Sequence, residues 1–311
     1  MEGLAAAGLQ LLAVVLIAPG IQGLIQRLKA MLQGRHGPGI AQPYFTLAKL
    51  WRRQDLHGRH SSWISALAPR LALGITLGAA LAVPLFGLGG PGLWAGDFLV
   101  AVGLLALERY VLSLLGLDAG TPFGGLGSSR QSTLGALAEP ALVALGLPWM
   151  VRAASTAWPA LLGASAATAP TGTVRLFALA AAVIVVLAET GRLPVDNPDT
   201  HLELTMIHEA IVLEASGPQL GLLSLTQMIQ QTVVLALASD LLVPWGLGPA
   251  HGILALAQPV WAVARWVALA TAVAVAESLS TKLRFFRLPA YLGASVALSS
   301  AAAVLQVWGG R

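Results

Sequence analysis

Residues 177–198 read FALAAAVIVVLAETGRLPVDNP. The first twelve of these are apolar without exception and show no period-two alternation of polar and apolar residues. A half-buried strand would show that alternation, so the run reads as the end of a helix buried on all sides. Glu189 ends it. Pro194 and Pro198 then forbid the helix to continue past Gly191, because proline lacks the amide donor and restricts the residue before it. An apolar helix that delivers the chain into a charged, proline-rich turn is the pattern of a membrane crossing, and it sets the expectation for the other apolar runs.

Composition agrees. The 311 residues are 56% hydrophobic and 10% charged, where soluble domains average about 25% charged. Backbone groups in lipid must be satisfied internally, which leaves helices or closed barrels, and the long unalternating runs exclude a barrel. A hydrocarbon core of roughly 30 Å needs about 20 apolar residues per helix. Helices are expected near 4–26, 64–88, 98–117, 133–151, 173–190, 220–246, 252–277 and 288–308. The expected fold is an all-α integral membrane protein of about eight transmembrane helices in a single polytopic domain, 1–311. A cytoplasmic amphipathic helix should follow the first span and a structured acidic loop the fifth. The first run has no basic residue before it and no small-residue cleavage site, so it reads as a retained helix. With no Cys, the chain itself offers no thiolate for a metal or an iron–sulfur cluster.

The basic residues give the expected sidedness. Residues 27–62 hold Arg27, Lys29, Arg35, Lys49, Arg52, Arg53 and Arg59 against one acid, Asp55. Loops after odd-numbered spans also carry Arg130, Arg192, Lys282, Arg284 and Arg287, while 89–97, 152–172 and 248–251 are nearly uncharged. The positive-inside rule places 27–62, 118–132, 189–219 and 278–287 in the cytoplasm and both termini outside.

Residues 188–217 hold six of the fourteen acids, Glu189, Asp196, Asp199, Glu203, Glu209 and Glu214. Asp199 or Asn197 can cap a new helix with Pro198 in its first turn. Asp199 and Glu203 then share a face, with Glu214 three turns on. Gly217 and Pro218 should end that helix. One reading is a solvated loop that answers the basic segment 27–62. The other is a proton relay or docking site, because crowded carboxylates at a membrane boundary raise each other's pKa. His201 and His208 would lie about 10 Å apart along a helix, too far to share one metal ion.

Charges inside the spans add to this. Glu108 and Arg109 lie mid-way along the third span, Glu139 within the fourth, Asp240 and Glu277 near the ends of the sixth and seventh, and Arg265 in mid-seventh. Each costs at least about 2.5 kcal/mol at a helix centre and should face the bundle interior. Glu108 and Arg109 could simply neutralise each other. Glu139 has no basic neighbour one turn away, which favours a task. Glu277 precedes Lys282 and reads as a structural boundary residue. In 27–62, Tyr44, Leu47, Leu50 and Trp51 form one apolar stripe, the mark of an interfacial helix. That helix is a membrane anchor, a docking surface or the wall of a site for a lipid-soluble ligand.

These motifs together resemble a family. AETGRLPVDNP…HLELTMIHEAIVLEASG is similar to the signature loop of the membrane subunit at the junction of the two arms of respiratory complex I, the complex I subunit 1 family. It is closest to the branch in energy-converting [NiFe] hydrogenases such as formate hydrogenlyase and hydrogenase-4. Glu189, Arg192, Pro194, Asp196, Pro198, Asp199, Glu203, Glu214, Ser216 and Gly217 match the family pattern. His201 replaces an acid, and the loop is about three residues longer than in the quinone-reducing form. RHGPGIAQPYFTLAKL matches through Arg35, Gln42 and Lys49 but has Thr46 in place of an acid. Arg130 and Glu139 keep the family's spacing of nine, and GTPFGGLGSSR is hydrogenase-like.

The resemblance implies a subunit with no redox centre or catalytic site of its own. It would anchor hydrogenase-like large and small subunits and iron–sulfur proteins, which carry the [NiFe] centre and the clusters, beside antiporter-like membrane subunits in a bacterial or archaeal plasma membrane. Nucleic acid has no place in it. A proton path through Glu108, Glu139, Glu189, Asp196, Asp199, Glu203 and Glu214 is implied. So is a docking surface or quinone-like cavity around Arg35, Gln42, Lys49, Arg52, Arg53, Arg130, Arg192, His201 and His208; quinone itself stays open. Rival readings are the quinone-chamber subunit of an NADH:quinone oxidoreductase, a secondary transporter, and a purely structural anchor. A transporter usually shows internal repeats and broken mid-membrane helices, which the sequence lacks.

Overall fold

The computed structural model describes residues 2–56, 58, 61–86, 96–167, 172–196, 206–243, 253–281 and 283–309. Its helices are α1 Glu2–Leu32, α2 Gln42–Trp51, α3 Trp63–Ala82, α4 Phe98–Asp118, α5 Pro122–Ala153, α6 Trp158–Ala167, α7 Gly172–Glu189, α8 His208–Val212, α9 Gly217–Leu242, α10 Ile253–Leu279 and α11 Leu288–Gly309. Among the described residues, eight of these are long and apolar enough to cross a membrane: α1, α3, α4, α5, α7, α9, α10 and α11. The protein is an all-α integral membrane protein.

α9 is the central helix. Its run from Ile229 to Leu242 is buried on every face, its polar residues Gln230, Gln231, Thr232, Ser239 and Asp240 included. It touches α1, α2, α3, α7 and α10, while α11 lies across α5 and α7 and α3 packs on α4. Polar groups fix the ends. Ser62 caps α3 by accepting from the Ile64 amide at 3.1 Å. Asp118, at the end of α4, accepts from the Ser62 and Ser65 amides, both at 3.0 Å. At the opposite face Asp97 caps α4 and also accepts from the Thr156 hydroxyl at 2.5 Å. On α1, Gln10 donates to the Ala80 carbonyl at 2.7 Å and so satisfies the end of α3.

The structure departs from the sequence reading at four places. α1 runs to Leu32 rather than residue 26, because Lys29 is held against another span. α5 begins at Pro122 rather than 133. Its first turns are too polar and glycine-rich for a hydropathy reading, yet they are buried: the Ser128 hydroxyl donates to the Ser113 carbonyl of α4 at 2.9 Å. α6 occupies a stretch read as loop, with Trp158, Leu161 and Leu162 buried. Gly217 and Pro218 do not end a helix. The described helix of the acidic segment is only His208–Val212, and Gly217, at φ 49°, opens α9 with Pro218 in its first turn. The helix expected to begin near Asp199 lies outside the described residues.

Candidate functional site

The turn after α7 is built by Gly191. Its φ of 57° is left-handed, a conformation that costs other residues roughly 1–2 kcal/mol. It brings the Arg192 amide back to the Leu187 carbonyl at 3.0 Å and ends the helix as a glycine C-cap does. The reversal sends Arg192 into the bundle. Its guanidinium donates to Glu277 at 3.1 Å, Gln22 at 2.6 Å and Gln231 at 2.9 Å. Lys29 donates to the other oxygen of Glu277 at 2.8 Å. Glu277 is 2% exposed, so the acid read as a boundary residue is the buried counter-ion of two cations.

Asp196 follows on the same turn and is buried. One carboxylate oxygen accepts the Ile207 amide at 2.9 Å and the His208 amide at 3.3 Å. Arg130 donates to the Met206 carbonyl at 3.3 Å. Together they hold both ends of the acidic loop's return against α4 and α5. Burial keeps the His208 imidazole below its usual pKa of 6.5, against the opposing pull of Glu209 and Asp196.

The intramembrane charges meet at Arg109. Its guanidinium pairs with Glu189 at the end of α7, and lies 3.8 Å from Glu139 on α5. Gly135, one turn before Glu139, packs close to that carboxylate: a methyl group there would lie 3.3 Å from its Oε1 and in ordinary contact, 3.8 Å, with Arg109. Glu139 therefore has a basic neighbour, supplied by α4. Arg109 does not simply neutralise Glu108. Glu108 is 0% exposed, and neither of its carboxyl oxygens has a hydrogen-bond partner among the described residues. Glu139 is partly open to the lateral face of the chain, with 38% of its side chain exposed.

A small polar cavity joins these groups. It has a volume of about 20 Å3 and is lined by Arg109, Glu189, Asp196, His208, Gln131, Gln227 and Gln230, among others. That is room for about one water with several polar partners. It connects the loop's Asp196–His208 contact to the Arg109–Glu189 pair.

Other site residues expected from sequence fall elsewhere. Glu214 is exposed beside a separate small hollow. Arg35, Gln42, Lys49, Arg52 and Arg53 are exposed along and beside α2. Of the expected stripe, Leu47 is buried, Leu50 half-buried, and Tyr44 and Trp51 exposed, although the Trp51 ring lies over Gly221 of α9. Leu56 and Ser216 exchange hydrogen bonds of 2.8 and 3.0 Å, which fastens the basic segment to the start of α9. The two charged segments thus share one end of the bundle. Asp199, His201 and Glu203 lie outside the described residues. Gln22, Gln230, Gln231 and the partners of Glu277 were missed, and the polar run TQMIQQT at 226–232, inside an otherwise apolar span, was the signal for two of them, Gln230 and Gln231.

Eight apolar spans, ion pairs buried between them and one charged end define a polytopic membrane protein with an ionised interior. Residues 5–308 match the family described as NADH dehydrogenase, and the chain belongs to that family as a complex I-like membrane subunit. It is 33% identical over 248 residues to formate hydrogenlyase subunit 4 of Escherichia coli (strain K12), covering 76% of this chain and 77% of that one. It is 32% identical over 237 residues to hydrogenase-4 component C of the same organism, covering 76% and 74%. Its fold matches a chain of the membrane-bound sulfane sulfur reductase, an archaeal respiratory membrane complex, with a TM-score of 0.84 over 98% of this chain and 100% of that chain at 18% identity.

Proposed function

We propose that this chain is the membrane-anchor and proton-coupling subunit of an energy-converting [NiFe] hydrogenase of the formate hydrogenlyase or hydrogenase-4 type. The observation that carries this reading is the polar cavity between Asp196–His208 and Arg109–Glu189. The names of the two curated relatives support the hydrogenase branch over the quinone-reducing one. Hydrogenase-like large and small subunits and iron–sulfur proteins, which hold the [NiFe] centre and the clusters, dock at the end that carries α2 and the acidic loop. Antiporter-like subunits flank the membrane part. That end faces the cytoplasm and both termini face outside in this reading, which the distribution of basic residues supports.

Electron transfer in the docked module changes the charge facing Asp196 and His208. A proton then reaches Glu189 through the cavity. Protonated Glu189 loosens its hold on Arg109, which shifts toward Glu139, 3.8 Å away. Arg109 between two carboxylates is the two-state element that coupling requires. Glu139, partly open laterally, passes the change to the neighbouring subunit.

The docking half is tested by purifying the complex from membranes and assaying nickel and iron. Arg52→Glu with Arg53→Glu should release the metal-bearing module, more so at raised salt, since exposed charges are screened over about 8–10 Å. A complex without nickel in the unaltered protein would overturn the hydrogenase reading.

A further inference from the structure

The face of the bundle opposite the acidic loop carries a groove that the coupling site does not use. It lies between α7, α9 and α10 and has a volume of about 510 Å3, within the roughly 300–1,000 Å3 usual for small-molecule sites. Its walls include Leu179, Leu242, Trp261 and Leu269, and α10 contributes Ala264, Ala268 and Ala272 at four-residue spacing, which keeps the floor low.

Two arginines line this apolar trough, Arg175 in the first turn of α7 and Arg265 on α10. Arg265 is 7% exposed. It donates to the Val243 carbonyl at 3.1 Å and pairs with Asp240 at 3.2 Å, yet its Nε has no hydrogen-bond partner among the described residues. The Nε of Arg175 is also buried without one. Arg265 has a carboxylate partner in Asp240 and Arg175 has none among the described residues, so the groove attracts an anion.

The two arginines also share a level. Side chains on a helix lean toward its N-terminus, and Arg265 reaches Val243, the residue that caps the end of α9. Arg175 sits at the start of α7, on the same face of the bundle. Leu179, Leu269 and Ala272 lie one to two turns deeper. The groove thus has a cationic mouth where α7 begins and α9 ends, and an apolar floor running inward. A free inorganic anion has no use for the floor, and a neutral lipid has no use for the mouth.

We propose that this groove binds one anionic phospholipid, its phosphate held by Arg175 and Arg265 and one acyl chain laid along Leu179, Leu269 and Ala272. The test uses the intact complex reconstituted in nanodiscs with two photoreactive probes, phosphatidylglycerol and phosphatidylcholine, each with a diazirine in mid-chain. Labelling of 172–189 and 253–279 should favour the phosphatidylglycerol probe by about five-fold, the attraction of one arginine for an anionic headgroup. Arg175→Gln, which breaks no ion pair among the described residues, should bring the two probes level. Ala268→Phe should fill the trough and remove labelling by both. Excess inorganic phosphate should change nothing. Equal labelling by both probes that Arg175→Gln leaves unchanged would make the occupant ordinary bulk lipid. Loss of labelling to phosphate alone would make this a small-anion site, and no labelling in the intact complex would mean that a neighbouring subunit fills the groove. Any of these overturns the proposal, and Arg175→Gln decides the matter alone if Ala268→Phe fails to assemble.

Discussion

Arg109 and Arg192 each draw together groups from three or more helices. The sequence marked both arginines, and it marked Glu108, Glu139 and Glu189, because a charge in an apolar run is visible in one dimension. It did not show their partners. Which face of one span meets which face of another is set by packing across the bundle, and no periodicity within a span encodes it. Glu277 shows this: its structural role at the span end was legible, but its partners were not, because Lys282 is near it in sequence whereas Lys29 and Arg192 are near it in space. Glu277→Ala would leave two buried cations facing each other. Removing one partner of a buried pair costs about 3–5 kcal/mol, so a clear fall in the thermal midpoint of the purified complex is expected. Glu277→Gln keeps an acceptor and should fall less. Equal midpoints for Glu277→Ala and the unaltered protein would show that Arg192 is held by its glutamines alone.

At the scale of elements, the spans were legible and the connections were not. A window of apolar residues finds a helix in lipid, but the start of α5 and all of α6 are stabilised by contacts made after the helices assemble. Gly191 and Gly217 illustrate the difference. Both were read as helix ends, yet one stops α7 and the other starts α9. Both have positive φ, but a methyl group at Gly191 meets open space, whereas at Gly217 it would strike the Gln54 carbonyl. Gly191→Ala should cost roughly 1–2 kcal/mol from backbone strain. Gly217→Ala should cost more and loosen the basic segment, which limited proteolysis after residue 53 would report; equal effects would contradict the close packing. The loop itself should respond to pH. His208 is depressed by burial, so the folded loop binds fewer protons than the open one and its stability rises with pH. That contribution is complete above about pH 6.5 and is lost as the pH falls below it. Amide exchange at 206–212, corrected for intrinsic rate, should quicken between pH 7.5 and 5.5, and His208→Gln should flatten the dependence.

For the whole molecule, composition sufficed for the class and the span count, because lipid admits so few backbone solutions. The proposed sidedness rests on charge asymmetry and can be checked directly, since the chain has no native cysteine. A cysteine at Glu214 should react with an impermeant maleimide only from the cytoplasmic side, and one at Arg152 only from outside. Reaction of both from one side would contradict the topology. In the proposed function Arg109, between Glu189 and Glu139, passes charge from the redox end into the membrane. Glu139→Gln tests it most directly, because the pair it loosens is long and partly open, so folding should survive. The measurement is proton uptake against hydrogenase turnover in vesicles holding the whole complex. Normal assembly, near-normal turnover and a proton-to-electron ratio well below that of the unaltered complex are expected. An unchanged ratio in a fully assembled Glu139→Gln complex would contradict this role of Arg109.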